Sequence, residues 1–258
     1  MTSPATLLRS RPYRIAVPLD VTTDDGVRIR GSRVGERGPS LVLCHGFLGW
    51  HRKARIVRFA ETLAERFAVH AIDLRGHGAS DGVCTYGDRE ILDVDAAVRF
   101  ARRERPGEPV VALGISMGGT SVLRHAGLIG GVDAVVSISA PARWEGHTSR
   151  AVRQIAWMGS TERGRRLARA MGVRLATLER FGEMPEDVIG RIAPTPVIVV
   201  HGRDDHFFDE EEAWRLYRAA RPPKRLMLAT RFGHAEDGLG PGLAARLADR
   251  IDESVRSS

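Results

Sequence analysis

Cysteine is scarce in this chain of 258 residues, which contains only Cys44 and Cys84. Their spacing fits neither a disulfide framework nor a zinc site, and such sparse use is typical of a reducing compartment. Motifs with metal-ligand spacing, such as H-E-x-x-H or C-x-x-C, are missing, and the histidines are scattered along the chain. We therefore expect no catalytic metal.

Long apolar runs are also missing. No segment approaches the length that spans a bilayer, and the first residues lack the apolar core of a signal peptide. We therefore expect a cytoplasmic protein without a membrane span. The formal net charge is +7, but the sequence has no Lys/Arg-rich run, helix-turn-helix pattern or phosphate-binding loop. Nucleic acid and nucleotide cofactors are thus not expected as partners.

What the chain does contain is an alternation of strand-like apolar runs with amphipathic helical segments. The continuous apolar run Leu41–Cys44 is typical of a strand buried on both faces, and Val132–Ser139 is predicted as a further strand. Parallel neighbours need a crossover connection, so this alternation predicts one large α/β domain with a mostly parallel sheet. The alternation stops over residues 142–194, which look helical and contain no strand candidate.

The most informative stretch is V-V-A-L-G-I-S-M-G-G, residues 110–119. Ser116 lies between Gly114 and Gly118, where a predicted strand ends and a predicted helix begins. This is the context of a nucleophile elbow, a sharp turn that exposes a serine hydroxyl at the edge of a sheet. The alternative interpretation is a glycine-rich turn with an N-cap serine.

A serine nucleophile needs a base that removes its proton and a carboxylate that orients the base. His45, Asp73, Asp205 and His234 all follow predicted strands, as Ser116 does. In open α/β sheets the reacting groups lie at the carboxyl ends of the strands, so these side chains are expected at one edge. The order serine, aspartate, histidine along the chain matches the order that nucleophile-elbow enzymes use.

On these residues the chain resembles the α/β-hydrolase superfamily. The segments H-G-F-L-G and D-L-R-G-H-G-A-S-D-G look similar to bacterial carboxylesterases, including the cinnamoyl/feruloyl esterase type. The resemblance implies the α/β-hydrolase fold, with a mostly parallel central sheet of about eight strands and helices on both faces. It also implies a core of residues 1–141 and 195–258, with a helical lid of residues 142–194 inserted after the sixth strand.

The resemblance also implies roles for single residues. Asp205 ends an H-G-x-x-D pattern similar to the family's acid turn, with Asp204 as the alternative, and His234 fits the base. The backbone N–H groups of Met117 and Phe47 are expected to form an oxyanion hole. Phe47 is also expected to line the substrate pocket.

The segment 142–194 offers candidates for the substrate pocket. It carries ten Arg against six Asp/Glu. Such a surplus, for example at Arg165 and Arg166, favours a substrate with a carboxylate or phosphate, although scattered arginines are more often plain surface. Apolar side chains of the segment are expected either to line the pocket or to pack the lid on the core; they are Trp144, Trp157, Met158, Met171 and Phe181.

Together these features predict a cofactor-independent serine hydrolase that cleaves a small-molecule carboxylic ester through an acyl-enzyme. The catalytic residues are predicted to be Ser116, Asp205 and His234. A thioesterase, a perhydrolase or a C–C hydrolase would use the same three residues. A binding module that kept the fold without the chemistry is the remaining alternative.

Overall fold

The computed structural model describes residues 10–144, 146–147, 149–177 and 182–256. The strands of this part are β1 (Val17–Thr22), β2 (Arg28–Val34), β3 (Ser40–Cys44), β4 (Ala68–Ile72), β5 (Val110–Ile115), β6 (Ala134–Ile138), β7 (Val197–Gly202) and β8 (Lys224–Ala229). Its α-helices are α1 (Ala54–Leu63), α2 (Glu90–Glu104), α3 (Met117–Leu128), α4 (Arg150–Ser160), α5 (Glu162–Ala170), α6 (Pro185–Val188), α7 (Glu210–Ala219) and α8 (Pro241–Arg256). None of these helices is long and apolar enough to cross a membrane.

The strands form a single sheet in the order β1-β2-β4-β3-β5-β6-β7-β8. Strand β2 pairs antiparallel with both β1 and β4, and the other neighbours pair parallel. The strands from β3 to β7 are buried along their whole length, as their continuous apolar sequences predict. The edge strands β1 and β8 are partly exposed.

Helices cover both faces of this sheet. Alternate residues of a strand point to opposite faces, so each buried strand contributes to two cores. In β5, Val111 and Leu113 pack in one core with α1 and α8, whereas Val110 and Ala112 pack in the other with α2, α3 and α7. The predicted fold, a mostly parallel sheet of about eight strands with helices on both faces, is confirmed.

The helices α4, α5 and α6 lie between β6 and β7, in the stretch where the sequence has no strand candidate. Helix α4 begins after Ser149, whose hydroxyl accepts a hydrogen bond from the N–H of Val152. One side of α4 is buried through Val152, Ile155 and Met158, which recur at the spacing of a single helix face.

Parallel pairing brings the carboxyl ends of β3, β5 and β7 to the same edge of the sheet. The residues that follow these strands are therefore neighbours in space although they are far apart in sequence. His45 to Phe47 follow β3, Ser116 follows β5, and Asp205 lies in the loop after β7. This edge is where the candidate site lies.

Candidate active site

Ser116 occupies the turn between β5 and α3. Its φ of 53° and ψ of −116° are a backbone conformation that L-residues rarely adopt. Its N–H donates to the carbonyl oxygen of Ile138 at 2.7 Å, which ties the turn to β6. A methyl group on Gly114 would overlap the carbonyl group of Gly118, and the packing around Gly118 is equally close. The two flanking glycines are therefore required by the crowding of this turn.

His234 connects Ser116 to a carboxylate. Its Nε2 lies 2.9 Å from Oγ of Ser116, and its Nδ1 lies 2.8 Å from Oδ2 and 3.0 Å from Oδ1 of Asp205. A carboxylate only accepts hydrogen bonds, so Nδ1–H donates to Asp205 and Nε2 is left to accept from the Ser116 hydroxyl. The three residues form one hydrogen-bonded row in the orientation that proton transfer from serine requires.

The carboxylate of Asp205 is buried and kept in its charged form. Burial acts to raise the pKa of Asp205, but hydrogen bonds from His234 and from two backbone N–H groups outweigh it and hold the pKa below its usual range. Those backbone groups belong to Phe207 and Phe208 and lie 2.8 and 3.1 Å from Oδ1. The neighbouring Asp204 is exposed, and its N–H donates to the carbonyl of Phe232. Of the two acids, the structure thus brings Asp205 to His234.

The two predicted oxyanion donors lie beside Ser116. Met117 follows it directly as the first residue of α3, and Phe47 is in the loop after β3. A methyl group on Gly46 would lie 3.2 Å from Cβ of Ser116, so this loop passes close to the serine. Within the part of the chain that the structure describes, neither N–H donates a hydrogen bond. Both therefore have a donor available for a bound oxygen atom.

A cleft of about 460 Å³ contains Ser116 and His234. Its apolar lining includes Phe47, Leu48, Ala151, Ile155, Met158 and Phe207. Its charged lining is Lys53, Arg55, Arg58, Glu236 and Asp237. The cleft thus combines an apolar part with a charged part around the hydroxyl of the serine. Its volume is within the size range of small-molecule sites.

Comparison with known families bears directly on this arrangement. The sequence model of the alpha/beta hydrolase family matches residues 41–255, which include the whole hydrogen-bonded row. This chain belongs to the alpha/beta hydrolase family. Among the relatives of this alpha/beta hydrolase is the uncharacterized protein YfhR of Escherichia coli, 25% identical over 224 residues that cover 83% of this chain and 71% of YfhR.

Other similar proteins carry esterase names. A pimeloyl-[acyl-carrier protein] methyl ester esterase of Stenotrophomonas maltophilia is 33% identical over 161 residues, which are 60% of this hydrolase and 54% of that relative. The solved structure of the esterase Pf2001 of Pyrococcus furiosus matches with a TM-score of 0.74 at 21% identity, over 98% of this chain and 96% of that one. The esterase RhEst1 of Rhodococcus sp. matches with a TM-score of 0.72 at 20% identity, over 93% and 98%. At these identities the two structures establish the shared fold.

Of the predicted lining residues in this alpha/beta hydrolase, the structure brings Phe47 and Met158 to the cleft. Trp157 is not among the residues of the cleft and is 44% exposed. Trp144 forms a T-shaped contact with Phe208, with ring centroids 5.8 Å apart, and is not among the residues of the cleft. Met171 lines a separate cavity beside His51, and Phe181 lies outside the described residues.

The sequence interpretation missed several residues that do line the cleft. Ala151 and Ile155 belong to α4 and share a face with Met158, because the three recur at i, i+4 and i+7. That spacing is a signal that the sequence already contains. Phe207 carries no such signal, since it reaches the cleft from the loop after β7.

The arginines that were expected to attract an anionic substrate lie elsewhere. Arg165 donates to the carbonyl of Gly159 at 2.8 Å, and Arg166 pairs with Glu162 on the exposed side of α5. Neither lines the cleft, because Arg165 reaches the backbone of the preceding helix α4 and Arg166 faces solvent. The cations of the cleft come instead from the start of α1.

Three buried histidines of this hydrolase bond to backbone carbonyls around the site. Nδ1 of His45 donates to Gly46 at 2.8 Å, and Nδ1 of His77 and Nε2 of His201 bond to other carbonyls in the same way. Burial lowers the pKa of His45 to about 3 and that of His77 to about 4, so both are neutral. No group of three or more metal-ligating side chains occurs among the described residues.

A second row of serine, histidine and aspartate lies near the pairing of β2 with β4. Ser32 belongs to β2, His51 to the loop after β3, and Asp73 directly follows β4. Oγ of Ser32 is 3.2 Å from Nε2 of His51, whose Nδ1 is 2.8 Å from Oδ1 of Asp73. All three side chains are buried, and Ser32 lies inside strand β2 with its backbone in the sheet. The hydroxyl of Ser32 is buried and this serine does not precede a helix, so the geometry of the row suits packing rather than attack on a substrate.

Proposed function

We propose that this chain is a serine hydrolase that cleaves carboxylic esters through a covalent acyl-enzyme. The observation that carries the proposal is the 2.9 Å contact between Oγ of Ser116 and Nε2 of His234, in a row that ends at the buried carboxylate of Asp205. A serine hydroxyl is a weak nucleophile at neutral pH, and a base in this position activates it by removing its proton. The cleft beside the row has the volume of a site for a small-molecule ester.

In the first half of the proposed reaction, His234 takes the proton of Ser116 and the serine oxygen attacks the carbonyl carbon of the ester. Negative charge develops on the carbonyl oxygen, and we assign the N–H groups of Met117 and Phe47 to stabilise it. The bond to the alcohol oxygen then breaks, and His234 returns the proton to the leaving alcohol. Water activated by His234 finally releases the acid from Ser116, and Asp205 stabilises the charged imidazole in both halves.

We also propose that residues 142–194 act as a lid on a core of residues 1–141 and 195–258. This is supported by α4, which belongs to that segment and contributes Ala151, Ile155 and Met158 to the cleft. A cover of this kind excludes water from the reacting groups and sets which acyl or alcohol portion fits.

The choice of an ester rests on the relatives. The Stenotrophomonas maltophilia protein is named for a methyl ester, and two structural neighbours are named esterases. The row of Ser116, His234 and Asp205 provides the groups that ester cleavage needs, and no cofactor takes part in the steps above.

The proposal is tested with Ser116→Ala, assayed on p-nitrophenyl butyrate. Removal of the nucleophile is expected to lower kcat by at least about 10³. The thermal unfolding midpoint is expected to stay close to that of the wild type, because alanine fits the same space. The matched control is Ser32→Ala, which removes the serine of the second row and is expected to keep wild-type kcat.

A fluorophosphonate probe gives an independent measurement, because it labels activated serines. We expect label on Ser116 of the wild type and none on the Ser116→Ala variant. Unchanged turnover in Ser116→Ala, or a folded wild-type protein that takes up no label, would contradict the proposal.

A further inference from the structure

One wall of the cleft is charged. Three cationic side chains line it, from Lys53, Arg55 and Arg58, together with the carboxylates of Glu236 and Asp237. Among these side chains of the described residues, three cations and two carboxylates leave one positive charge unmatched.

Two of the cations are already paired. Nζ of Lys53 lies 2.9 Å from Oε1 of Glu236, and Arg55 lies 3.3 Å from Oδ1 of Asp237 and 2.9 Å from the carbonyl oxygen of Glu236. Glu236 and Asp237 belong to the short helical turn that directly follows His234. Lys53 and Arg55 therefore hold that turn against α1, and their charge is matched.

Arg58 is the unmatched cation. It lies one helical turn after Arg55 on α1, is exposed and lines the same cleft as Ser116. Its guanidinium makes no hydrogen bond or ion pair within residues 10–144, 146–147, 149–177 and 182–256. A planar guanidinium offers paired donors whose geometry matches a carboxylate.

Besides this charged wall and the polar side chains of Ser116, His234, Gln154 and His206, the cleft is lined by apolar residues such as Phe47, Ile155 and Met158. Over the part of the chain that the structure describes, the cleft thus joins apolar side chains to one unpaired cation, which is complementary to a molecule with an apolar part and one negative charge. One unmatched charge fits a carboxylate better than a phosphate, which carries close to two charges at neutral pH.

We infer that the substrate is an ester that carries one carboxylate group, and that Arg58 binds this group. The inference rests on the proposed ester hydrolysis and adds the substrate class. Arg58 is then a specificity-determining residue, because it binds the carboxylate of the substrate and not the ester carbonyl that reacts. Ser116 and His234 attack the ester in the same way whether or not the carboxylate is present.

The test uses monomethyl esters of dicarboxylic acids of increasing chain length, each compared with its dimethyl ester. The two members of a pair have the same acyl chain and differ in one negative charge, and the series varies the separation of ester and carboxylate. We expect the wild type to prefer the monomethyl ester at the best length. In Arg58→Gln the KM for that ester is expected to rise about threefold to tenfold, with the dimethyl ester unaffected.

Two further variants sharpen the test. Arg58→Lys keeps the charge but loses the paired donors, so it is expected to retain part of the preference. The matched control is Arg103→Gln, because Arg103 is also an exposed helical arginine without an ion pair among the described residues but does not line the cleft. It changes the net charge equally and is expected to leave both KM values unchanged.

The outcomes separate this inference from the proposed function. If the wild type and Arg58→Gln cleave both esters with the same ratio of KM values, the inference is overturned and ester hydrolysis stands. If Arg103→Gln has the same effect as Arg58→Gln, the preference comes from net charge and the inference is also overturned. If the wild type cleaves p-nitrophenyl butyrate but no ester of the series, the inference is overturned and ester hydrolysis stands. If it cleaves neither, the proposed function fails and the inference fails with it.

Discussion

The phenyl ring of Phe207 lies nearly flat on the imidazole of His234, with centroids 4.1 Å apart and planes 19° from parallel. The N–H of Phe207 also donates to Oδ1 of Asp205 at 2.8 Å, so this residue contacts both partners of the row. In the proposed reaction His234 becomes a cation when it takes the proton of Ser116. An aromatic face within about 6 Å attracts a cation, so Phe207 stabilises the charged imidazole where it forms.

Phe207→Leu is therefore expected to lower kcat. Leucine keeps the apolar contact with His234 but has no aromatic face, and the loss is expected to be about threefold to tenfold. Phe207→Trp keeps an aromatic face and is expected to retain more activity than the leucine variant. Steady-state kinetics on p-nitrophenyl butyrate measures both, and equal kcat values for the leucine variant and the wild type would show that the stack contributes only packing.

Asp205→Asn and Asp204→Asn separate the two candidate acids. Asparagine at 205 cannot fix the protonation of Nδ1 of His234, so kcat is expected to fall by roughly 10³ to 10⁴. Asp204 is exposed and makes no hydrogen bond to His234, so its variant is expected to keep wild-type kcat. The kcat values of the two variants, measured side by side, identify the acid. A larger loss of kcat in Asp204→Asn than in Asp205→Asn would reverse the assignment.

The elements around the site could be predicted from the sequence because local signals and long-range packing agree there. The run at 110–115 and the helix from Met117 appear where the apolar pattern and the glycines indicate them. At the first strand the local sequence pattern and the long-range packing disagree. Apolar and polar residues alternate in part from Tyr13 to Val21, which predicts a strand over those residues, but β1 begins at Val17. Tyr13 is buried by a tertiary contact, its hydroxyl donating to the carbonyl of His51 at 2.7 Å, and not by strand pairing.

The lining of the cleft could be predicted only in part. Residue type alone does not give the direction of a side chain on a helix. Trp157 is two residues from Ile155, about 200° around α4, and so faces solvent while Ile155 faces the cleft. The pair of Lys53 and Glu236 joins residues that are 183 positions apart, which no local pattern indicates.

The crowding at the turn predicts the effect of Gly114→Ala. Its new methyl group would overlap the backbone carbonyl of Gly118, so the turn must shift and move Ser116 out of line with His234. A misplacement of this kind is expected to lower kcat by about 10² and also to lower the unfolding midpoint. Gly240→Ala is the control, because a methyl group there meets no atom within 4 Å. A fully active Gly114→Ala enzyme would show that the turn tolerates a side chain.

Glu212 in α7 holds the chain where it leaves β6. Its Oε2 accepts from the N–H of Ala142 at 2.7 Å and of Arg143 at 3.3 Å, and Nε2 of His147 lies 3.4 Å away. Burial acts to raise the pKa of Glu212, but His147 and these backbone N–H groups outweigh it and lower the pKa to about 2. The carboxylate therefore stabilises the fold above its usual pKa of 4.5, and this contribution is lost as the pH falls toward about 2.

Glu212→Gln removes that contribution. We expect the free energy of unfolding at neutral pH to fall by about 1 to 2 kcal/mol, because the neutral amide loses the charge-assisted hydrogen bonds of the carboxylate. Between the two pKa values the stability of the variant should depend less on pH than that of the wild type, because one linked proton is gone. Urea unfolding at a series of pH values measures this. Glu211→Gln on the same helix removes an exposed pair with Arg218 and is the control. Parallel stability curves for the wild type and Glu212→Gln across the acid range would contradict the assigned cause, since a carboxylate with a lowered pKa must contribute to the slope.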